Sequence, residues 1–251
     1  MKIKGILSLS KMELILFLRE PSSLFWVIGF PLFCLIFFSY AFPQPVQYPK
    51  GGVFSPATFF LPGMVGLILF SASLLSMTIN VATYRELGIL RRLRLTPLNS
   101  IHFIAAEVLS RILIISCSLA VLFIVGIFFF DVTIKGSFIF VLAAILLCMV
   151  ALLSFGFLLG SVAPSARSAN NIGILLLMPM LFFSEMFLAS SHLPWFIRPI
   201  STYLPLTPLN IILRDIFMAG GNLVGNIDQV AILAGWAIIG FVLSARFFKW
   251  E

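Results

Sequence analysis

Apolar residues in this chain come in long unbroken runs, and short polar or proline-rich pieces separate them. The runs lie at about 24–42, 57–83, 102–130, 137–162, 170–188 and 228–245. Each is close to or longer than the roughly 20 residues a helix needs to cross a bilayer. Transmembrane strands would instead show short alternating segments. The pattern therefore predicts an all-α integral membrane protein of six transmembrane helices, in one transmembrane domain over 1–251 with no fixed-period repeat.

The pieces between the runs have their own patterns. In 1–20, Ile3, Ile6, Leu7, Leu14, Phe17 and Leu18 share a face, and Lys2, Lys4, Lys11 and Arg19 add positive charge. That predicts an amphipathic helix in the membrane interface. The chain's first apolar run, 24–42, is too long for a cleavable leader and has no small-residue cleavage site, so none is expected. Proline and glycine make 43–52 a loop, Asp131 to Gly136 a tight turn and Ala163 to Ala169 a short polar loop holding Arg167. Asn170 and Asn171 then read as caps at the start of the fifth span. The stretch 189–227 is proline-rich and moderately polar. It predicts short outer or re-entrant helices near Trp195–Leu204 and Pro208–Ala219, with Arg198, Arg214 and Asp215 as outer-surface charges.

The densest charge lies between the second and third spans, in ATYRELGILRRLRLTPLNS from Ala82 to Ser100. Leu87, Leu90 and Leu93 recur at helical spacing, and Arg85, Arg91, Arg92 and Arg94 fall mostly on the other side. This predicts a short amphipathic helix at one membrane surface, over about 85–98. Thr96-Pro97 ends it, because proline disfavours helix in the residue before it.

Composition agrees with a membrane protein: 61% of residues are hydrophobic and 10% charged, with a mean hydropathy of +1.15. A soluble domain carries about 25% charged residues. In that setting the net charge of +7 reflects loop bias and not a nucleic-acid partner. With six spans, Lys2, Lys4, Lys11, Arg19, Arg85, Arg91, Arg92, Arg94, Arg111, Arg167, Arg246 and Lys249 share one side; Lys50, Lys135, Arg198 and Arg214 take the other. The positive-inside bias then places both termini and the basic stretch in the cytoplasm. Cys34, Cys117 and Cys148 lie inside apolar runs and read as small buried hydrophobes. Trp26, Trp195, Trp236 and Trp250 read mostly as anchors near span ends.

Chemistry within the chain has little to build on. The phosphate-loop pattern GxxxxGK[ST] is absent, so no ATP hydrolysis is expected here. HExxH is absent, and His102 and His192 fall at opposite faces, which argues against an intramembrane metalloprotease; no bound metal or cofactor is expected. Glu107 and Arg111 stand one helical turn apart early in the third span, as a structural pair or a gate. Glu185, near the outer end of the fifth span, should face the bundle interior or an outer vestibule, since lipid exposure of a carboxylate is costly.

The order Arg85-Glu86-x-Gly88-x-Leu90-Arg91-Arg92-Leu93-Arg94-x-Thr96-Pro97-Leu98 resembles the cytoplasmic segment of type-2 ABC transporter permeases, whose pattern is RE-x-GTL-rrL-x-x-TPL. Phe17-Leu18-Arg19-Glu20-Pro21, Leu24-Phe25-Trp26 and Phe30-Pro31-Leu32 resemble the family's interfacial helix and first span, in its drug-export branch. Met178 to Ser184 resembles its fifth span, and Leu193-Pro194-Trp195, Leu204 to Pro208 and Arg214 its outer re-entrant segment. Two departures stand out: Ile89 replaces threonine, and Glu185 replaces the glycine that usually follows the serine.

The resemblance implies an exporter subunit in the cytoplasmic (inner) membrane of a prokaryote. Two permease chains, identical or different, would form the pathway, with the first and fifth spans in contact. Two separate ATPase chains would bind ATP and magnesium. Glu86, Leu87, Leu90, Arg91, Arg92, Leu93 and Arg94 would form the coupling helix that docks on an ATPase, and Glu107, Arg111 and Glu185 are candidates for a gate or pathway. The substrate would be amphipathic or hydrophobic: a drug, an antibiotic or a lipid. A lipid-linked glycan exporter and an ion-gradient-driven transporter stay open as alternatives.

Overall fold

The structure is a computed structural model and describes residues 2–48, 52–89, 100–186 and 194–247. An amphipathic helix α1 (Lys2–Arg19) precedes α2 (Pro21–Ala41), and a small antiparallel hairpin of β1 (Val46–Tyr48) and β2 (Gly52–Phe54) links α2 to α3 (Pro56–Glu86). Then come α4 (Ser100–Phe130), α5 (Phe138–Val162) and α6 (Ala166–Phe183), two short helices α7 (Arg198–Tyr203) and α8 (residues 206–219), and α9 (Ile227–Phe247). Helices α2, α3, α4, α5, α6 and α9 are each long and apolar enough to cross a membrane. The all-α, six-helix expectation therefore holds.

Chain direction gives the bundle two ends. The end that holds α1, Arg85 and the α5–α6 turn is the basic end, and the hairpin and α7–α8 occupy the far end.

Helix α3 is the axis of the bundle. Almost all of its apolar stretch is buried, whereas α2, α6 and α9 leave most of theirs uncovered. Small residues let neighbours reach the α3 backbone. Gly156 and Gly160 of α5 lie one turn apart, and a Cβ on either would stand 2.7 Å from the carbonyl of Leu74 or Thr78. The Thr78 hydroxyl donates to the Gly156 carbonyl at 3.2 Å. Membrane helices associate without a hydrophobic drive between them, so such close backbone contacts supply the packing energy. On the other side of α5, α9 runs along most of its length. There Trp236 meets Phe155 edge-on at 4.8 Å and donates to the Tyr203 carbonyl. Trp236 is therefore a mid-helix packing residue and not an end anchor.

Several boundaries differ from the sequence expectation. The loop 43–52 holds strand β1 and the start of β2. The run from Asp131 to Gly136 is irregular, with Asp131 at φ 51°, and bonds to α8: Lys135 and Gly136 amides donate to the Phe217 and Ile216 carbonyls. Helix α6 starts at Ala166, capped by Ser165, whose hydroxyl accepts from the Ser168 amide at 3.2 Å. Asn170 and Asn171 are thus already in its second turn; the cap is Ser165, five residues before Asn170. Cys34 and Cys148 are buried, but Cys117 is exposed on α4.

Candidate functional site

At the basic end, α3 runs past Thr83 to Glu86 and closes on Leu87, with Gly88 at φ 65°. That left-handed position suits glycine and stops the helix. Helical conformation resumes at Ile89. Leu90, Arg91, Arg92, Leu93 and Arg94 lie outside the described residues. Leu87 is 60% exposed.

Arg85 and Glu86 turn toward the rest of the chain. One guanidinium nitrogen of Arg85 donates to the carbonyls of Gly160, Ser161 and Ala163 at 3.2, 2.5 and 3.2 Å. Glu86 accepts from the Ala166 amide at 2.8 Å. A cation meets the C-terminal carbonyls of α5, and a carboxylate meets an unpaired amide in the first turn of α6. Both choices match the helix dipoles.

A second polar group ties α1, α3 and α4 together near the same end. Glu107 and Arg111 meet at 2.6 Å with both side chains buried. Asn80 of α3 donates to the same Glu107 oxygen at 2.9 Å. One turn further along α3, Tyr84 donates to Glu13 of α1 at 2.7 Å, and Ser10 donates to the Ala106 carbonyl. Burial, helped by the Glu107 carboxylate, raises the Glu13 carboxyl above its ordinary range, against the pull of Tyr84 and Arg111. Sequence spacing found the Glu107–Arg111 pair. It missed Glu13, Asn80 and Tyr84, because their partners lie on other helices.

Between α2, α3 and α6 opens a cleft of about 440 Å³. Its polar lining is gathered toward the basic end: Glu20, Ser22 and Ser23 at the start of α2, Ser71 and Ser76 of α3, and Asn170 of α6. Its other walls are apolar, with Trp26 and Phe30 facing Leu177 and Leu181 among others. All three walls depart from regular helix beside it. Helix α2 widens to a π-helical turn over Phe25–Gly29, just before Pro31, and α3 does so over Phe70–Leu75. Helix α6 carries Pro179 in its interior. Such turns recur where membrane and enzyme helices carry function. None of Glu107, Arg111 and Glu185 lines the cleft.

At the far end, α8 is not an outer-surface helix. Leu206, Thr207, Pro208, Leu209, Asn210, Ile212, Leu213 and Arg214 are all buried, against α3, α5 and α9. Arg214 and Asp215 are correspondingly buried, at 3% and 6% exposure. The reading of them as surface charges is corrected; only Arg198 of the three is exposed. The physical reason is that each is satisfied inside. Arg214 donates to the Phe59 and Met186 carbonyls, lies 3.8 Å over the Phe59 ring and stands 3.7 Å from Glu185. Asp215 accepts from Asn226 at 2.8 Å. Glu185 sits at φ 55°, the left-handed region that favours glycine. That conformation accounts for the glycine the resemblance leads one to expect there.

Six apolar helices, one of them the buried axis of the other five, with a cleft between three of them and a basic end, define a multi-pass membrane protein. The model of the ABC-2 type transporter family matches residues 4–218. The chain belongs to that family and is an ABC permease. No curated relative matches it in sequence.

Proposed function

We propose that the chain is the transmembrane subunit of an ATP-driven exporter, and that the α2–α3–α6 cleft is its half of the substrate path. The cleft carries this reading: a polar mouth at the basic end leads between apolar walls, which suits an amphipathic or hydrophobic molecule such as a drug, antibiotic or lipid. Bands of exposed apolar residues flank it, with Phe33 and Phe37 on α2 and Leu175 and Phe182 on α6. A second permease chain set against these bands encloses the path. The polar mouth then faces that chain and not lipid, where its groups would go unsatisfied. Basic residues on one side favour a cytoplasmic basic end in a prokaryotic inner membrane, with both termini inside.

In this reading the segment from Leu87 onward docks on a separate ATPase, one per permease chain, which binds ATP and magnesium. Leu87, Leu90 and Leu93 give apolar contact, and Arg91, Arg92 and Arg94 give charge pairing. The test is to purify the chain gently from its native membrane, beside the variant Arg91→Glu/Arg92→Glu. An ATPase should accompany the native chain in equal amount and be lost from the variant. A chain that brings down no ATPase, and moves substrate only on an ion gradient, overturns the proposal.

A further inference from the structure

We propose that Arg85 and Glu86 are positioning residues that lock the root of the basic segment to the α5–α6 turn, so that α6 follows that segment when it moves. The inference rests on the exporter reading of the cleft and adds the link by which motion reaches one of its walls.

The geometry is specific on both sides of the turn. Arg85 spans the last turn of α5 with three carbonyl contacts, and Glu86 reaches the first turn of α6 at Ala166. The two residues are adjacent in sequence yet carry opposite charge, each matched to a different helix end. Interchanging them would set a cation against amides and an anion against carbonyls. The joint is also close-packed without them: Ala82 of α3, Ala163 of the turn and Ala169 of α6 form a small buried cluster with Ile172 beside it. Four residues further along, Gly173 lets α6 approach Leu75 closely. Helix α6 is thereby fastened to α3 along its basic half, while much of its outer face is uncovered. Asn170 and Ile174, which line the cleft, lie on the fastened part. Gly88, just after the pair, takes a left-handed conformation at φ 65°, where α3 ends. A push transmitted along the chain through Gly88 therefore meets this joint first.

The two charged side chains, each bonded to backbone groups, add directional hold to a joint that alanines alone would let rock. Glu86 is exposed, so truncating it should leave a folded chain, and Arg85 supplies the harsher variant.

The experiment uses the complex of this chain with its ATPase, with Cys117 replaced and spin labels placed at Phe25→Cys on α2 and Leu175→Cys on α6. Both sites are exposed, at 52% and 73%. The distance across the cleft is measured with and without ATP in a hydrolysis-blocked state. In the native background ATP should shift it. In Glu86→Ala, with the ATPase still bound in equal amount and thermal stability unchanged, more than half of that shift should be lost. Arg85→Ala should lose at least as much, and Glu86→Gln, which keeps an acceptor for the Ala166 amide, should recover part of it. A merely structural role would lower stability and leave the shift intact in the folded fraction. A full shift in Glu86→Ala, or no shift in the native chain, overturns this inference alone. A complex that contains no ATPase overturns the exporter reading and the inference together.

Discussion

Glu107 and Arg111 show what a buried charge needs here. The guanidinium and Asn80 both converge on one carboxylate oxygen, and neither side chain reaches solvent. Removing one partner leaves the other charge buried and unpaired, at a cost of about 3–5 kcal/mol. Arg111→Met should therefore lower the thermal midpoint sharply, and Glu107→Leu/Arg111→Met should recover part of the loss. An equal loss in single and double variants would assign the damage to packing. Glu13 makes a different prediction. Its carboxyl is held above the ordinary range, so the folded chain binds that proton more tightly than the unfolded chain. The stability gained is full below the ordinary carboxylate range and is lost as pH rises through the raised value. Glu13→Gln keeps an acceptor for Tyr84 and should flatten that fall, measured as unfolding midpoint against pH in neutral detergent. An unchanged slope would place the titration elsewhere. The Glu107–Arg111 pair is legible in the sequence because both ends lie on one helix. Glu13 is not, since its Tyr84 partner is 71 positions away.

At the scale of elements, the axial helix depends on its glycine neighbours. Gly156 and Gly160 bring α5 against the Leu74 and Thr78 carbonyls. A β-branched side chain there must push two backbones apart, and overpacking of this kind costs about 1–3 kcal/mol. Gly160→Val should reduce the yield of folded chain in mild detergent, whereas Gly235→Val should not, because a Cβ at Gly235 meets nothing within 4 Å. Equal tolerance at both would refute the close-packed seam. The spans themselves follow from apolar run length. The π-helical turns in α2 and α3 do not, because they shift the hydrogen-bond ladder without changing the apolar pattern. The start of α6 was misplaced for a related reason. Its first turn is polar and alanine-rich, so the apolar run expected from 170 begins four residues after the helix itself does.

The whole molecule has a closed side and an open one. Helices α4, α5 and α8 enclose α3 on several sides, while α2 and α6 border the cleft and expose aromatic and aliphatic faces. If a second copy covers the cleft, a cysteine at Leu175 of α6 should cross-link two chains in native membranes. One at Phe241, exposed on α9, should not. Cross-linking at Phe241 alone would move the interface to α9.

The sequence by itself determined the solvent of this protein and the number of crossings, because a bilayer imposes a run length that hydropathy registers directly. It also marked the basic segment and, through its RE and TPL residues, the ABC-2 family. Tertiary structure alone decided which helix is central, that α8 is buried and not superficial, and that Arg85, Glu86 and Arg214 spend their charge on backbone groups within the chain. The reason is physical: a side chain's composition states what it must satisfy, but only the packing of distant segments brings a carbonyl, an amide or a carboxylate within hydrogen-bond reach.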